Sequence, residues 1–169
     1  MSHYYDKLFF LAQVQCKSRF FTNAFNYNNF YKSAKVLDQK RLGKQRVEVL
    51  QLLNSIKASK EGTPYKGWKN HPCRHMWYIK DKHDYSNALV EYGLDVCIAW
   101  KERGYKDTCF HKIGAHYNKN KPHVYPKWLG RKDIHQSHRS RLIQKQPDFY
   151  RQVWPQEKDD LEYVWPFPN

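Results

Sequence analysis

Hydrophobic and polar positions along the chain predict a mainly helical protein. The clearest helix follows Asp84 and Ser86, either of which can cap its first turn, and it ends at Arg103-Gly104. Its apolar positions recur every three or four residues: Leu89, Tyr92, Val96, and Ala99 with Trp100. This spacing places them on one buried face, so we interpret the helix as scaffold.

An earlier helix is predicted from Phe30 to about Ala58, with a break near Asp38 or Gly43. Its polar face is formed by residues three, four and seven positions apart: Arg41, Lys44, Gln45 and Glu48. Apolar residues occupy its other sides and are expected to pack against the core. We therefore expect the Glu48 side chain to be exposed to solvent. The alternative is a solvated helix in which a Lys44–Glu48 pair contributes roughly 0.2–0.5 kcal/mol.

A third helix is predicted from Ile134 to about Gln146, capped by Asp133 and ended by Pro147-Asp148. Its apolar residues face one way with His138, while its other basic residues spread over the remaining surface. After it, acidic residues precede an aromatic end, and we expect this segment to fold back on the body and shield part of the basic surface.

The predicted fold is therefore a compact, mainly α single domain of about three principal helices with long aromatic loops. Residues 1–19 are interpreted as an N-terminal extension, and residues 20–169 as one helical domain. The first residues do not have the basic leader of a signal peptide.

The amino-acid composition indicates what kind of partner the protein binds. The net charge is +14 and the pI is near 9.6, while aromatic residues make up 17% of the chain and mean hydropathy is −0.96. A folded protein with this excess of positive charge favours an anionic partner, and nucleic acid is the leading candidate. A membrane partner is not expected, because no apolar run of about 18 residues exists. Four widely spaced cysteines are typical of reduced thiols in the cytoplasm.

Several chemistries are disfavoured by the motifs. His71, Cys73 and His75 lie close together, as do Cys109 and His111, but neither group has the spacing of a zinc site. The chain also has no phosphate-binding loop, dinucleotide fingerprint or nucleophile elbow. We therefore predict no metal and no cofactor.

Nucleic-acid binding agrees with basic residues on two helices and with aromatic side chains that can stack on bases. Trp68, between Gly67 and Lys69, is the best candidate for such a stacking platform. The residues predicted to contact nucleic acid are Lys40, Arg41, Arg46, Trp68, Lys69, His71, Arg74, His138, Arg139 and Arg141.

Three motifs together carry a resemblance to a known family. They are Leu37-Asp-x-x-Arg-Leu-x-Lys-Gln-Arg-x-Glu48, Gly67-Trp-Lys-Asn-His-Pro72, and a helix with Tyr92-Gly-Leu that closes on Arg103-Gly-Tyr105. The chain resembles the pyrimidine-dimer DNA glycosylase (endonuclease V-type) superfamily over about residues 20–166. It is more similar to an uncharacterised bacterial and viral branch that shares the Arg-Leu-Gly-Lys-Gln-Arg-Val-Glu signature, Ser137-His-Arg-Ser140 and Tyr163-Val-Trp-Pro166.

The resemblance implies an all-helical glycosylase and abasic-site (AP) lyase that acts on damaged or modified pyrimidines in double-stranded DNA. In that family an amine attacks C1′ to form a Schiff base, and a glutamate on the first helix assists base loss and β-elimination. Glu48 matches that glutamate, Arg41 and Arg46 match phosphate clamps, and His71 matches the turn that follows.

The identity of the amine stays open. The family uses the mature N-terminal α-amine, whereas here about twenty residues precede Phe21-Thr22, where the similar branch begins. Removal of Met1 would expose Ser2. Either the extension folds back, or a lysine such as Lys44 replaces the amine, or the lyase chemistry is absent.

The predicted protein is a monomer that acts in the cytoplasm or, if viral, in the host cell or virion. The alternative functions are a non-catalytic basic nucleic-acid-binding protein and a different nucleic-acid enzyme on the same scaffold.

Overall fold

The computed structural model of the chain describes residues 30–65 and 67–166. The predicted extension, its boundary at residue 20, Ser2 and Cys16 lie outside the described residues. The elements in chain order are α1 (Phe30–Lys35), α2 (Gln39–Glu61), α3 (Pro72–Trp77), β1 (Tyr78–Ile79), β2 (His83–Asp84), α4 (Ser86–Glu102), α5 (Phe110–Gly114), α6 (Lys132–Lys145) and α7 (Pro147–Val153).

The mainly helical fold is confirmed, and α2, α4 and α6 are its three principal helices. The two strands form one short antiparallel hairpin, in which Tyr78 pairs with Asp84. Within the described residues, no helix is long and apolar enough to cross a lipid bilayer.

The predicted break near Asp38 is confirmed, because α2 begins directly after this residue. The Asp38 carboxylate accepts a hydrogen bond from the Arg41 N–H at 3.1 Å and caps the helix. The Tyr150 hydroxyl from α7 also donates to Asp38, so the start of α2 is fixed to the C-terminal part of the fold. Gly43, the other candidate break, lies inside α2, and α2 ends at Glu61 before the left-handed Gly62.

Helix α4 packs against α1 and α2. Its predicted apolar face is confirmed as buried, except that Trp100 is only half-buried. At Gly93 the helices come so close that an added Cβ would lie 2.5 Å from a Val49 methyl group. Asp84 accepts from the Ser86 N–H at 3.1 Å, whereas Ser86 itself lies inside the helix.

Helix α6 differs from its prediction in two respects. Asp133 is not its cap but lies in the first turn, where it pairs with Arg131. His135 and Arg139 are buried, at 3% and 6% exposed, instead of spreading over an open surface. The predicted fold-back explains the burial of Arg139, because residues 154–166, here called the C-terminal segment, run along α6.

Two α6 serines hold the C-terminal segment in place. The Ser140 and Ser137 hydroxyls accept hydrogen bonds from the N–H groups of Leu161 and Val164, both at 3.1 Å. Glu157 pairs with Arg139, so the expected shielding of basic charge by this segment is confirmed here.

The core lies between α2, α4 and the α3 region, and it includes the fully buried Trp77, Tyr92 and Met76. Cys73, Cys97 and Cys109 are buried free thiols, in agreement with the prediction of reduced cysteines for these three.

Candidate active site

Glu48 lies in the middle of α2 and is only 4% exposed. The expectation that it stands in the open is therefore wrong. The helical spacing was interpreted correctly, but α4 packs beside this face and covers it. A buried carboxylate needs hydrogen-bond donors or a nearby cation, because burial without them is costly.

Those partners come from the same helix and from α4. The Gln45 amide donates to Glu48 Oε2 at 3.4 Å, and Gln45 Oε1 accepts from the Tyr92 hydroxyl at 2.7 Å. Burial, and then the charge of Glu48, raises the pKa of Tyr92, so this phenol stays protonated as a donor. Tyr92 is itself fixed by the parallel ring of Trp77 and the edge-on ring of Phe30.

Lys44 approaches Glu48 from the solvent side. Its Nζ is 3.6 Å from Glu48 Oε1, and its side chain is 46% exposed. The arrangement joins a partly exposed amine to a buried carboxylate, so a ligand can reach the amine while the carboxylate remains fixed. Ser2, the other candidate amine, lies outside the described residues.

The Trp68–His71 turn lies beside the next turn of α2. Trp68 Nε1–H donates to Gln51 Oε1 at 3.0 Å, and the Trp68 ring contacts the His71 ring edge-on at 4.7 Å. Trp68 has a backbone φ of +63°, a left-handed conformation that costs a bulky residue roughly 1–3 kcal/mol. His71 Nδ1 accepts from the Cys73 N–H at 3.1 Å and caps α3.

The two predicted phosphate clamps on α2 are engaged in ion pairs. Arg41 binds Asp38 at 2.7 Å and Gln146 at 2.9 Å. Arg46 pairs with the buried Asp107 and lies over the Trp100 ring. Each of these arginines therefore joins α2 to another part of the fold.

The remaining predicted contacts of the α2–α3 region differ in exposure. Lys40 and Lys69 are exposed. Arg74 is only 9% exposed, and it donates to the Lys69 carbonyl at 3.2 Å while lying over the Tyr78 ring.

On α6, the predicted contacts are largely covered. His138 is 1% exposed and faces the Tyr163 ring, and Arg139 pairs with Glu157. Arg141 is half-buried and donates to Gln144 at 2.6 Å.

The structure thus brings Lys44 to Glu48, and it joins Trp68 to Gln51, three residues further along α2, with His71 beside the Trp68 ring. It adds Gln45 and Tyr92, whose link to Glu48 the sequence analysis did not predict. The spacing of three between Gln45 and Glu48 was visible, but Tyr92 is 47 residues away from Gln45 and looked like ordinary core.

Metal binding finds no support in the described residues, since no three His, Cys, Asp or Glu side chains there lie close enough to hold an ion.

Comparison with known proteins identifies a family that this chain matches. Residues 23–113 match the family model described as pyrimidine dimer DNA glycosylase. This range contains α1 to α4 and most of α5, and therefore Lys44, Glu48 and the Trp68–His71 turn. No curated protein and no solved structure matches the chain.

Proposed function

Because the chain belongs to the pyrimidine dimer DNA glycosylase family, we propose that it is a DNA glycosylase and AP lyase acting on damaged or modified pyrimidines. Its partner is double-stranded DNA, and it acts as a monomer. An amine forms a Schiff base with the sugar, and Glu48 is the general acid and base.

The observation that carries this proposal is the buried Glu48 carboxylate with an amine 3.6 Å away. A carboxylate in such a site is kept from water. It can therefore stabilise positive charge on a sugar more strongly than an exposed acid could. A surface salt bridge needs neither the burial nor the Gln45–Tyr92 hydrogen bonds behind it.

The proposed reaction begins when Glu48 accepts a proton from the amine. The free lone pair attacks C1′, a C1′–N bond forms, and the glycosidic bond breaks as the base departs with a proton from the attached nitrogen. Glu48 returns its proton to O4′ as the C1′–O4′ bond breaks, which opens the sugar ring and leaves an iminium at C1′. The carboxylate of Glu48 then accepts a proton from C2′, and the C3′–O bond breaks in β-elimination, so that the phosphate departs. Water then hydrolyses the imine and releases the amine.

Lys44 is the amine within reach in the described residues, and the N-terminal amine of Ser2 is the alternative. Lys44 lies on the same rigid helix as Glu48, so the two groups keep their separation without help from a loop. Its partial exposure provides access for a sugar carbon.

The lesion is reached by distortion of the duplex, which costs a few kcal/mol but less at a damaged base. We propose that Trp68, whose indole N–H donates to Gln51 on α2, stacks on an exposed base. Its left-handed backbone is the kind of strain found at functional sites. Lys40 and Lys69, both exposed, supply contacts to the DNA backbone.

The test is borohydride trapping. The protein is incubated with duplex carrying a cyclobutane dimer or an abasic site, borohydride reduces any imine to a stable amine, and peptide mapping locates the adduct. We expect the adduct on the peptide containing Lys44, and we expect Lys44→Gln to lose it.

The matched control is Lys80→Gln, the same change at an exposed lysine between β1 and β2, outside the candidate active site, and we expect it to leave trapping intact. An adduct on the N-terminal peptide would assign the amine to Ser2 and leave the role of Glu48 unchanged. Absence of both adduct and incision with wild-type protein would refute the proposal and favour a non-catalytic nucleic-acid-binding protein.

A further inference from the structure

A cavity of about 520 Å³ lies between the end of α2, the start of α4 and the loop after α5. Four lysines line it: Lys57 and Lys60 from α2, and Lys119 and Lys121 from the loop. We call this cavity the lysine groove.

The lysine groove is separate from the candidate active site. Lys57 follows Glu48 by nine residues, which at roughly 100° per residue places the two side chains on opposite sides of α2. The same spacing separates them by roughly 13 Å along the helix axis. A ligand in the groove would therefore not touch Glu48.

Positive charge exceeds negative charge in the groove. Asp84 is shared by Lys60 at 2.9 Å and Lys121 at 2.6 Å, and Glu61 approaches Lys57 at 3.9 Å. Burial opposes ionisation of Asp84, but hydrogen bonds from Lys121, Ser86 and Lys60 outweigh it and hold its pKa well below the usual value. Four ammonium groups thus meet two carboxylates.

His116 also lines the groove and adds no positive charge to it near pH 7. Burial, followed by the charges of Lys57 and Lys60, lowers its pKa, so the ring is neutral near pH 7. Its Nε2 lies 3.1 Å from Asn54 Oδ1 on α2, a hydrogen bond that fixes the ring in the wall.

The loop that carries Lys119 and Lys121 is held in place by hydrogen bonds to α4. The buried Asn87 amide donates to the carbonyls of Asn118 at 2.9 Å and Lys121 at 3.4 Å, and its Oδ1 accepts from the Asn118 N–H. A ligand therefore meets a preformed site and need not pay to order the loop.

An aromatic ring stands on the edge of this positive cavity. Tyr117 lines the groove and is 51% exposed, so its ring is accessible to a ligand. Lysines beside an exposed aromatic ring are the combination that binds single-stranded nucleic acid, since the cations hold phosphates and the ring stacks on an unpaired base. An inorganic anion would not require the ring.

We propose that the lysine groove is a second nucleic-acid site, which binds a single strand through phosphates on its lysines and an unpaired base on Tyr117. It is independent of the chemistry at Glu48. A result that refutes the catalytic role of Glu48 would therefore leave the proposed single-strand site untouched, and the reverse also holds.

The test is binding of a fluorescent, undamaged oligothymidylate over a range of salt concentrations. Lys57→Gln with Lys119→Gln removes two exposed cations, and we expect the slope of log affinity against log salt to fall by about 1.4. Tyr117→Ala should weaken binding roughly 5- to 150-fold, while Tyr117→Phe keeps the ring and the affinity.

The control is Lys80→Gln with Lys82→Gln, the same charge change at the exposed hairpin turn, which leaves the slope unchanged. Inorganic phosphate and free thymidine monophosphate serve as competitors to separate an anion site from a strand site. A groove variant that binds like the hairpin variant overturns the proposal. The proposal is also overturned if the lysine substitutions weaken binding but Tyr117→Ala does not. It is likewise overturned if inorganic phosphate competes as strongly as the unlabelled oligonucleotide.

Discussion

The Tyr92 hydroxyl donates a 2.7 Å hydrogen bond to Gln45 Oε1, and this contact connects the scaffold helix α4 to the candidate active site. Gln45 cannot turn its amide freely while its oxygen is held, so its NH₂ group faces Glu48. A residue of the core thus fixes the orientation of the group that donates to the buried carboxylate.

Tyr92→Phe removes the donor to Gln45 but retains the ring between Trp77 and Phe30. We expect unfolding free energy to fall by about 1 kcal/mol, the net contribution of a buried hydrogen bond. Incision rate should fall with little change in DNA affinity, since Tyr92 acts through Gln45. Urea denaturation and single-turnover incision measure the two effects. Tyr105→Phe is the control, and an equal loss of rate in that variant would contradict a positioning role for Tyr92.

Asp38 should make stability depend on acid pH. Burial disfavours its charge, but hydrogen bonds from Tyr150 and Arg41 outweigh this and hold its pKa below the ordinary 3.8. Its contribution is therefore present above about pH 4 and is lost as pH falls through the lowered folded-state pKa. Asp38→Ala also loses the helix cap, at a cost of about 0.5–2 kcal/mol.

Asp38→Asn separates these effects, because asparagine can cap α2 without a charge. Urea denaturation between about pH 7 and about pH 2 should show wild type and Asp38→Asn converging in acid. A constant difference at every pH would contradict the role of the charge.

Asp95 on α4 should make the stability of the fold decrease as pH rises, the opposite of the effect of Asp38. Burial, and then the neighbouring Glu91, raises its pKa to about 6. The folded state holds a proton that the unfolded chain has released between about pH 4 and about pH 6, so wild-type stability falls across that window. Asp95→Asn should raise the melting temperature at pH 7 and have little effect below pH 4. A variant that is no more stable than wild type at pH 7 would refute this account.

Gly93 should not accept a larger side chain. An alanine Cβ there would lie 2.5 Å from Val49 Cγ1 and 3.0 Å from Ile113 Cγ2, and both neighbours are buried. We expect Gly93→Ala to lower unfolding free energy by about 1–3 kcal/mol. Gly114→Ala is the matched control, because its nearest neighbour would be 3.8 Å away, and it should stay within about 1 kcal/mol of wild type. Equal stability of the two variants would contradict the close α2–α4 approach.

Local patterns were sufficient for much of the fold. The α4 face could be predicted because an amphipathic helix repeats every three or four residues, and the break at Asp38 could be predicted because a capping residue acts within its own turn. The family resemblance, based on residues of α2 and of the turn after it, agrees with the matched range.

Burial of single polar residues could not be predicted, because it depends on distant parts of the chain. Glu48 is buried since Tyr92 and its helix pack beside α2, and Arg139 is buried since the C-terminal segment covers α6. Helical periodicity places a residue on a face but does not say which element covers that face. The prediction that Asp133 caps α6 was wrong for a different reason, because Asp133 pairs with Arg131 instead.

We propose that Glu48 takes part in catalysis instead of only stabilising α2. Glu48→Gln keeps the shape of the side chain and one acceptor oxygen but removes its charge. The direct measurement compares single-turnover incision of a duplex with a pyrimidine dimer or an abasic site, and salt-dependent binding of the same duplex, between wild type and Glu48→Gln. We expect incision to fall by about 100-fold or more while affinity stays within about two-fold. Incision by Glu48→Gln at the wild-type rate would contradict a catalytic role for Glu48.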